Sequence, residues 1–167
     1  MIRLFATDLD NTLLVDKKIP DENINAFKKL KEHGVTVCLI SGRTLSSIRY
    51  LAKQAGIECA KIGSNGAVGD DVNGNNFISK ELSDDTVLKL IEIGEKYNIF
   101  FHFYDYTDYY SPFMKPDYYS HLLVSEENIG NRYQCGFHII PEIRDVVGKV
   151  KVMKFQYIVP EKLEEEI

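Results

Sequence analysis

The chain has 167 residues, of which 44% are hydrophobic and 27% charged, and its formal net charge is −5. This length holds one ordinary domain or a small domain with an insertion, and the composition excludes a disordered chain. The acidic balance, with no basic block, argues against a nucleic-acid partner, and no run of about 18 apolar residues is present to cross a membrane.

Ile2 to Thr7 is a short apolar run that reads as a buried strand. A loop leads to Pro20, which suits a first helical turn because no N–H is needed there. Asp21 and Glu22 favour the positive end of that helix, Ile24, Phe27 and Leu30 give it an apolar face, and Gly34 ends it. Val35 to Ile40 is a second strand, and its lack of alternation fits a parallel sheet covered on both sides. A turn at Ser41-Gly42-Arg43-Thr44 opens a helix with Leu45, Ile48, Leu51 and Ala55 on one side, stopped by Gly56. Cys59 to Ile62 is a third strand, ending at Ser64-Asn65-Gly66-Ala67. The alternation of strand and helix is that of an open α/β sheet, and right-handed crossovers place the strand ends on one ligand-binding edge.

Beyond Ala67 the pattern changes. Asp70 to Asn76 is a hairpin-type turn centred on Asn73-Gly74, and Ser83 is an N-cap with Asp84 and Asp85 behind it. Val87, Leu88 and Ile91 form the apolar side of that helix. Phe100 to Tyr104 is a strand that Asp105 to Tyr110 is expected to continue, with Pro112 and Pro116 breaking it. Cys135 to Ile140 and Val150 to Val159 are further strands, and Pro160 to Ile167 starts a charged helix. The aromatic run Tyr104 to Tyr110 reads as cross-strand packing more than as a substrate-stacking surface. Lys149, Lys151 and Lys154 read as a solvated strand face.

Cys38, Cys59 and Cys135 form no close pair and read as buried thiols of a reducing compartment. The N-terminal residues turn acidic too soon for a signal peptide, so a cytoplasmic address is expected. His33, His102, His121 and His138 lack metal-ligand spacing and are expected to be structural or at the surface.

The chemistry gathers where the first strand runs out. In an extended backbone Asp8 and Asp10 point to one side and Leu9 to the other. Asp8, at the rigid strand end, suits a nucleophile that splits phosphate ester hydrolysis into two steps, and Asp10 suits proton transfer. Mg²⁺ would offset the repulsion between two carboxylates and a phosphate dianion, and it favours oxygen ligands. Ser41 and Gly42 could hold phosphoryl oxygens and Arg43 could grip a substrate oxygen, while Asn65 and Gly66 repeat the polar-plus-glycine pattern one strand over. Each motif alone also fits a locally capped turn. Their common position, each just past a buried strand, favours a site.

These residues resemble a known family. Asp8-Leu9-Asp10-Asn11-Thr12-Leu13, Ile40-Ser41-Gly42-Arg43 and Ser64-Asn65-Gly66-Ala67 are similar to successive motifs of haloacid dehalogenase (HAD)-type hydrolases, specifically the Cof-type phosphatases. The resemblance implies an α/β fold: part of a Rossmann-like core, with a parallel sheet in three layers, over residues 1–78, and a partial α+β cap over residues 79–167. It implies Asp8 as phosphoryl acceptor and Asp10 as general acid and base. It also implies Mg²⁺ on the Asp8 carboxylate and the Asp10 carbonyl. Ser41 would bind the transferring group, Thr12 would support the loop, and Arg43 and Asn65 would lie nearer the substrate. The substrate would be a small phosphorylated metabolite: a sugar phosphate, nucleotide or flavin phosphate.

The family's lysine motif and its Gly-Asp-x-x-Asn-Asp metal motif do not occur in the 167 residues. Without the strands that accompany them, the first strand is expected to lie at a sheet edge, an aggregation risk. The expectations are then a severed or crippled hydrolase, a chain completed by self-association or by a complementing C-terminal half, or a noncatalytic ligand-binding or subunit-type protein on the same scaffold.

Overall fold

The apolar run before Ser41 becomes the second strand of a five-stranded sheet, paired on both sides. The computed structural model describes residues 2–16, 18–114 and 136–159. β1 (Leu4–Asp8), β2 (Thr36–Ile40) and β3 (Ala60–Gly63) are parallel, and β4 (Val68–Asp70) and β5 (Asn76–Ser79) extend the sheet antiparallel, in the order β1-β2-β3-β4-β5. The β4–β5 connection is the expected hairpin, with Gly74 at φ +85° and the Asp71 carboxylate accepting the N–H groups of Asn73 and Asn75.

α1 (Asp21–Glu32) and α2 (Leu45–Gln54) bring Phe27, Ile48, Leu51 and Ala52 onto the sheet face that carries Val37 and Leu39. Successive right-handed crossovers stepping the same way along a sheet put both helices on one face. On the other face, Leu4 is 57% and Ile40 37% exposed. β1 is an edge strand, with no partner on its outer side among the described residues.

The second half of the chain forms a separate sheet in the order β8-β7-β6-β9, from β6 (Phe100–Tyr104), β7 (Tyr109–Ser111), β8 (Phe137–Ile139) and β9 (Lys154–Ile158). α3 (Asp84–Lys96) starts at Ser83, whose hydroxyl accepts the Thr86 N–H, and buries Val87 and Ile91 against Phe101 and Phe103. The opposite face of the sheet carries Phe100, His102, Tyr104 and Tyr109.

Two expectations for this half are corrected. Asp105 to Tyr110 does not continue β6. The Asp105 carboxylate accepts the N–H groups of Thr107 and Asp108 and folds the chain into a turn, so that Tyr109 returns antiparallel beside Tyr104. The strand expected over Val150 to Val159 forms only at Lys154–Ile158, because Met153 N–H reaches Tyr104 O and Leu82 N–H reaches Val152 O in the connection before it. The aromatic run does pack across strands, with Tyr104 and Tyr109 ring centroids 4.6 Å apart and Phe103 and Tyr110 5.5 Å apart.

Cys38 and Cys59 are buried and unpaired, and burial pushes the Cys59 thiol up to about 11. Cys135, His121, Pro116 and the charged segment 160–167 lie outside the described residues.

The two sheets meet near the C-terminal ends of β2 and β3. Ser46 Oγ, at the start of α2, donates to Thr107 O in the β6–β7 turn at 3.0 Å, and Lys154 Nζ at the start of β9 donates to Gly42 O at 3.2 Å.

Candidate active site

The strand-end loop is built around Leu9. Its side chain is 0% exposed in the core, and its carbonyl accepts N–H groups from Leu13 at 3.0 Å and Leu14 at 2.9 Å, with Thr12 at 3.4 Å. The sharp turn uses Asn11 at φ +58°, a conformation Asn tolerates better than most residues. Fixing Leu9 inward leaves Asp8 and Asp10 exposed on either side of it, as the alternation requires. The exposed Thr12 adds its backbone N–H to this turn.

The two aspartates have different surroundings. Asp8 Oδ1 accepts the Leu9 N–H at 2.7 Å. Both Asp10 oxygens are gripped by Arg43, from Nε at 2.8 Å and from Nη2 at 2.6 Å. Their side chains are 49% (Asp10) and 21% (Arg43) exposed, so this fork is a geometric device worth at most about 1 kcal/mol of stability.

Ser41 stands immediately after Ile40, which is paired in register with Asp8. Its N–H donates to Ile62 O at 2.9 Å, its carbonyl accepts the Asn65 N–H at 3.3 Å, and its Oγ accepts the Arg43 N–H at 3.3 Å. The hydroxyl is thus fixed at the sheet edge by an acceptor role that leaves its own proton to donate. The turn at Ser41 to Thr44 opens the helix at the place expected from the sequence. Thr44 is the N-cap of α2, so the Ser41-Gly42-Arg43 peptides form a separate turn ahead of it.

Ser64 and Asn65 both adopt left-handed backbone, at φ +50° and +57°. This brings Asn65 Oδ1 over Gly42, where a methyl group would lie 2.6 Å from that oxygen. Gly66, at φ +98°, completes the turn and is exposed. Gly42→Ala is expected to push the exposed Asn65 side chain off the edge at little cost in stability, because the atom that a methyl group would meet is the end of a flexible side chain. Calorimetric titration with phosphate should show weakened binding with the melting temperature nearly unchanged, and wild-type affinity would contradict a role for Asn65 at this edge.

The structure therefore joins Asp10 to Arg43, Arg43 to Ser41, Ser41 to Asn65 and Asn65 to Gly42 on one sheet edge, with Asp8 beside Ser41 through strand pairing. One residue of this cluster was read differently from the sequence. Lys154 is half-buried rather than on a solvated face, with Nζ at Gly42 O and 5.1 Å from the Tyr104 ring centroid, and burial lowers its ammonium pKa. Its alternation with Phe155 and Tyr157, which face α3, could have turned it away from that helix. Nothing in the sequence shows that the other face meets Gly42.

The described residues contain no group of three or more His, Cys, Asp or Glu side chains placed to hold a metal ion between them. A cation at this edge would rest on Asp8, the Asp10 loop and oxygens from water or ligand. An exposed, all-oxygen donor set of this kind fits Mg²⁺, which keeps several waters and takes one or two carboxylates.

A profile of haloacid dehalogenase-like hydrolases matches residues 5–162. The chain is 36% identical over 98 residues to the 5-amino-6-(5-phospho-D-ribitylamino)uracil phosphatase YcsE of Bacillus subtilis, covering 58% of this chain and 39% of that protein. It is 27% identical over 135 residues to the HMP-PP phosphatase of Yersinia pestis, covering 80% and 48%. It thus spans about half the length, or less, of these relatives. The fold is that of a haloacid dehalogenase-like hydrolase from B. subtilis, with a TM-score of 0.82 at 21% identity, covering 99% of this chain and 65% of that one. A Thermotoga maritima structure aligns with a TM-score of 0.77 at 24% identity, covering 99% and 60%.

Proposed function

Because the chain belongs to the haloacid dehalogenase-like hydrolase family, as its motifs led us to expect, we propose that it carries the nucleophile half of a Mg²⁺-dependent phosphomonoester hydrolase. The supporting observation is the exposure of Asp8 and Asp10 on either side of a fully buried Leu9, next to Ser41.

Asp8 keeps one carboxylate oxygen on the Leu9 N–H and offers the other to phosphorus. Attack forms an Asp8–phosphoryl bond and breaks the bond to the leaving oxygen, which takes its proton from Asp10. Water then attacks phosphorus, Asp10 takes the water proton, phosphate leaves, and the Asp8 carboxylate is restored. The Ser41 hydroxyl and the neighbouring Gly42 peptide hold phosphoryl oxygens. Arg43 has to release Asp10 before that carboxyl can carry a proton, and substrate oxygens compete for the same guanidinium fork. A bound Mg²⁺ would supply charge compensation between the carboxylates and the phosphoryl dianion.

In this reading residues 1–78 form the first half of the core and residues 79–167 the partial cap. The protein is cytoplasmic, and the substrate is a small phosphorylated metabolite. The relatives' names, a ribitylaminouracil phosphate phosphatase and HMP-PP phosphatase, support that class. No helix among the described residues is long and apolar enough to cross a membrane.

The exposed edge of β1, where Phe5 is 41% exposed, suits a second copy or a complementing C-terminal half. The 167 residues contain neither the family's lysine motif nor its Gly-Asp-x-x-Asn-Asp motif. Losing one stabilising contact of this kind costs on the order of 3 kcal/mol and losing several costs correspondingly more, so turnover by these 167 residues alone is expected to be negligible.

Calorimetric titration with inorganic phosphate, with and without Mg²⁺, tests the reading. Mg²⁺ should tighten phosphate binding. Binding indifferent to Mg²⁺ would instead favour a noncatalytic ligand-binding scaffold.

A further inference from the structure

We propose that Lys154 is a substrate-binding residue, contributed by the second sheet, that contacts an oxygen of the phosphate group held above Ser41-Gly42-Arg43. The proposal rests on the reading of that turn as a phosphate site, and it assigns to Lys154 a part that the motifs do not assign.

The geometry carries it. Lys154 opens β9 and lies directly across the sheet from Tyr104, whose ring centroid is 5.1 Å from Nζ. Tyr104 is itself fixed. It is buried, its hydroxyl donates to Gln156 Oε1 at 2.6 Å, and it stacks on His102 with ring centroids 5.2 Å apart. The lysine stem therefore has a rigid floor, and its ammonium is carried across to the first sheet. There Nζ donates to Gly42 O at 3.2 Å, and a methyl group on Gly42 would lie 3.3 Å from Nζ and 2.6 Å from Asn65 Oδ1. Lys154 and Asn65 thus converge on the one residue of the turn that has no side chain to separate them.

The charge balance indicates what is bound. Lys154 is half-buried, yet no ion pair with a carboxylate satisfies it among the described residues. Its neighbours Lys149 and Lys151 are exposed, and Lys151 pairs with Glu81. Among the described residues this partly desolvated ammonium rests on one carbonyl and one ring face and has donors and charge to spare, which an oxyanion would satisfy on both counts. Because Lys154 belongs to the second sheet and Gly42 to the first, the anion would also tie the two sheets together over the site.

Four proteins, the wild-type chain, Lys154→Met, Lys154→Arg and Ser41→Ala, are titrated calorimetrically with inorganic phosphate and with ribose 5-phosphate in the presence of Mg²⁺. Thermal unfolding confirms that each is folded. Lys154→Met keeps the stem on Tyr104 and removes the charge. It should weaken both ligands by about tenfold, and Lys154→Arg should recover most of that loss, which a purely structural role would not produce. Wild-type affinity for both ligands in Lys154→Met, with Ser41→Ala weakened, overturns the Lys154 assignment and leaves the phosphate site standing. Weakening for ribose 5-phosphate alone also overturns it, because the contact would then be to the sugar. No phosphate binding by the wild-type chain overturns the site and the assignment together.

Discussion

Leu9→Ala should lower the free energy of unfolding by about 2–5 kcal/mol and, in the same step, abolish Mg²⁺-dependent phosphate binding. The side chain is fully buried among Leu13, Phe27, Leu39 and Ile48, and large-to-small changes at such positions cost the lost transfer energy plus that of the cavity left behind. The coupling to function comes from the backbone. The Leu9 carbonyl collects the N–H groups that fold the loop, and its inward anchor is what sends Asp8 and Asp10 outward. Urea unfolding gives the first quantity and calorimetry the second. Leu14→Ala, one turn on and only partly buried, should cost less stability and leave the aspartates in place. A Leu9→Ala protein with near-wild-type stability would mean that the loop is held by something other than this anchor.

The second large effect is functional and nearly silent in stability. Asp8→Asn preserves the shape of the side chain, and its amide oxygen can still accept the Leu9 N–H. Asp8 is exposed, so stability should change by no more than about 0.5 kcal/mol. The negative charge is gone, however, and with it the hard anionic ligand for the cation and the nucleophile. Phosphate affinity in the presence of Mg²⁺ should fall at least about tenfold, with the Mg²⁺-independent part unchanged. Asp10→Asn should differ in kind. It replaces one oxygen of the fork with an amide that cannot accept from Arg43, releasing the guanidinium without removing the Asp8 ligand.

The elements that carry the site were legible because they depend on local chemistry. Val35 to Ile40 is apolar except for Thr36 and lacks alternation, which reads as an interior strand, and Pro20 and Gly34 bracket α1 by backbone geometry alone. The outward placement of Asp8 and Asp10 follows from strand alternation and from a leucine between them that has to be buried.

What was not legible depends on side chains far apart in sequence or on competing local bonds. Asp105 ends β6 because its carboxylate satisfies the two N–H groups that follow, a device that a run of aromatic residues conceals. The Asp10–Arg43 fork joins residues 33 positions apart, and the Lys154–Gly42 contact spans 112. The exposure pattern around Lys154 in the sequence matches a solvated strand face, and only the approach of the two sheets distinguishes the alternatives.

Paramagnetic broadening by Mn²⁺, an oxygen-seeking stand-in for Mg²⁺, tests most directly whether the first strand ends in a cation-binding corner. In amide NMR spectra of the wild-type chain, substoichiometric Mn²⁺ should erase the signals of Asp8 to Thr12 and of Ser41 to Arg43 first, and Asp8→Asn should restore them. Broadening centred on the Asp70–Asn75 turn or the Asp84–Asp85 helix start, or broadening of the Asp8 loop that survives Asp8→Asn, would contradict the account.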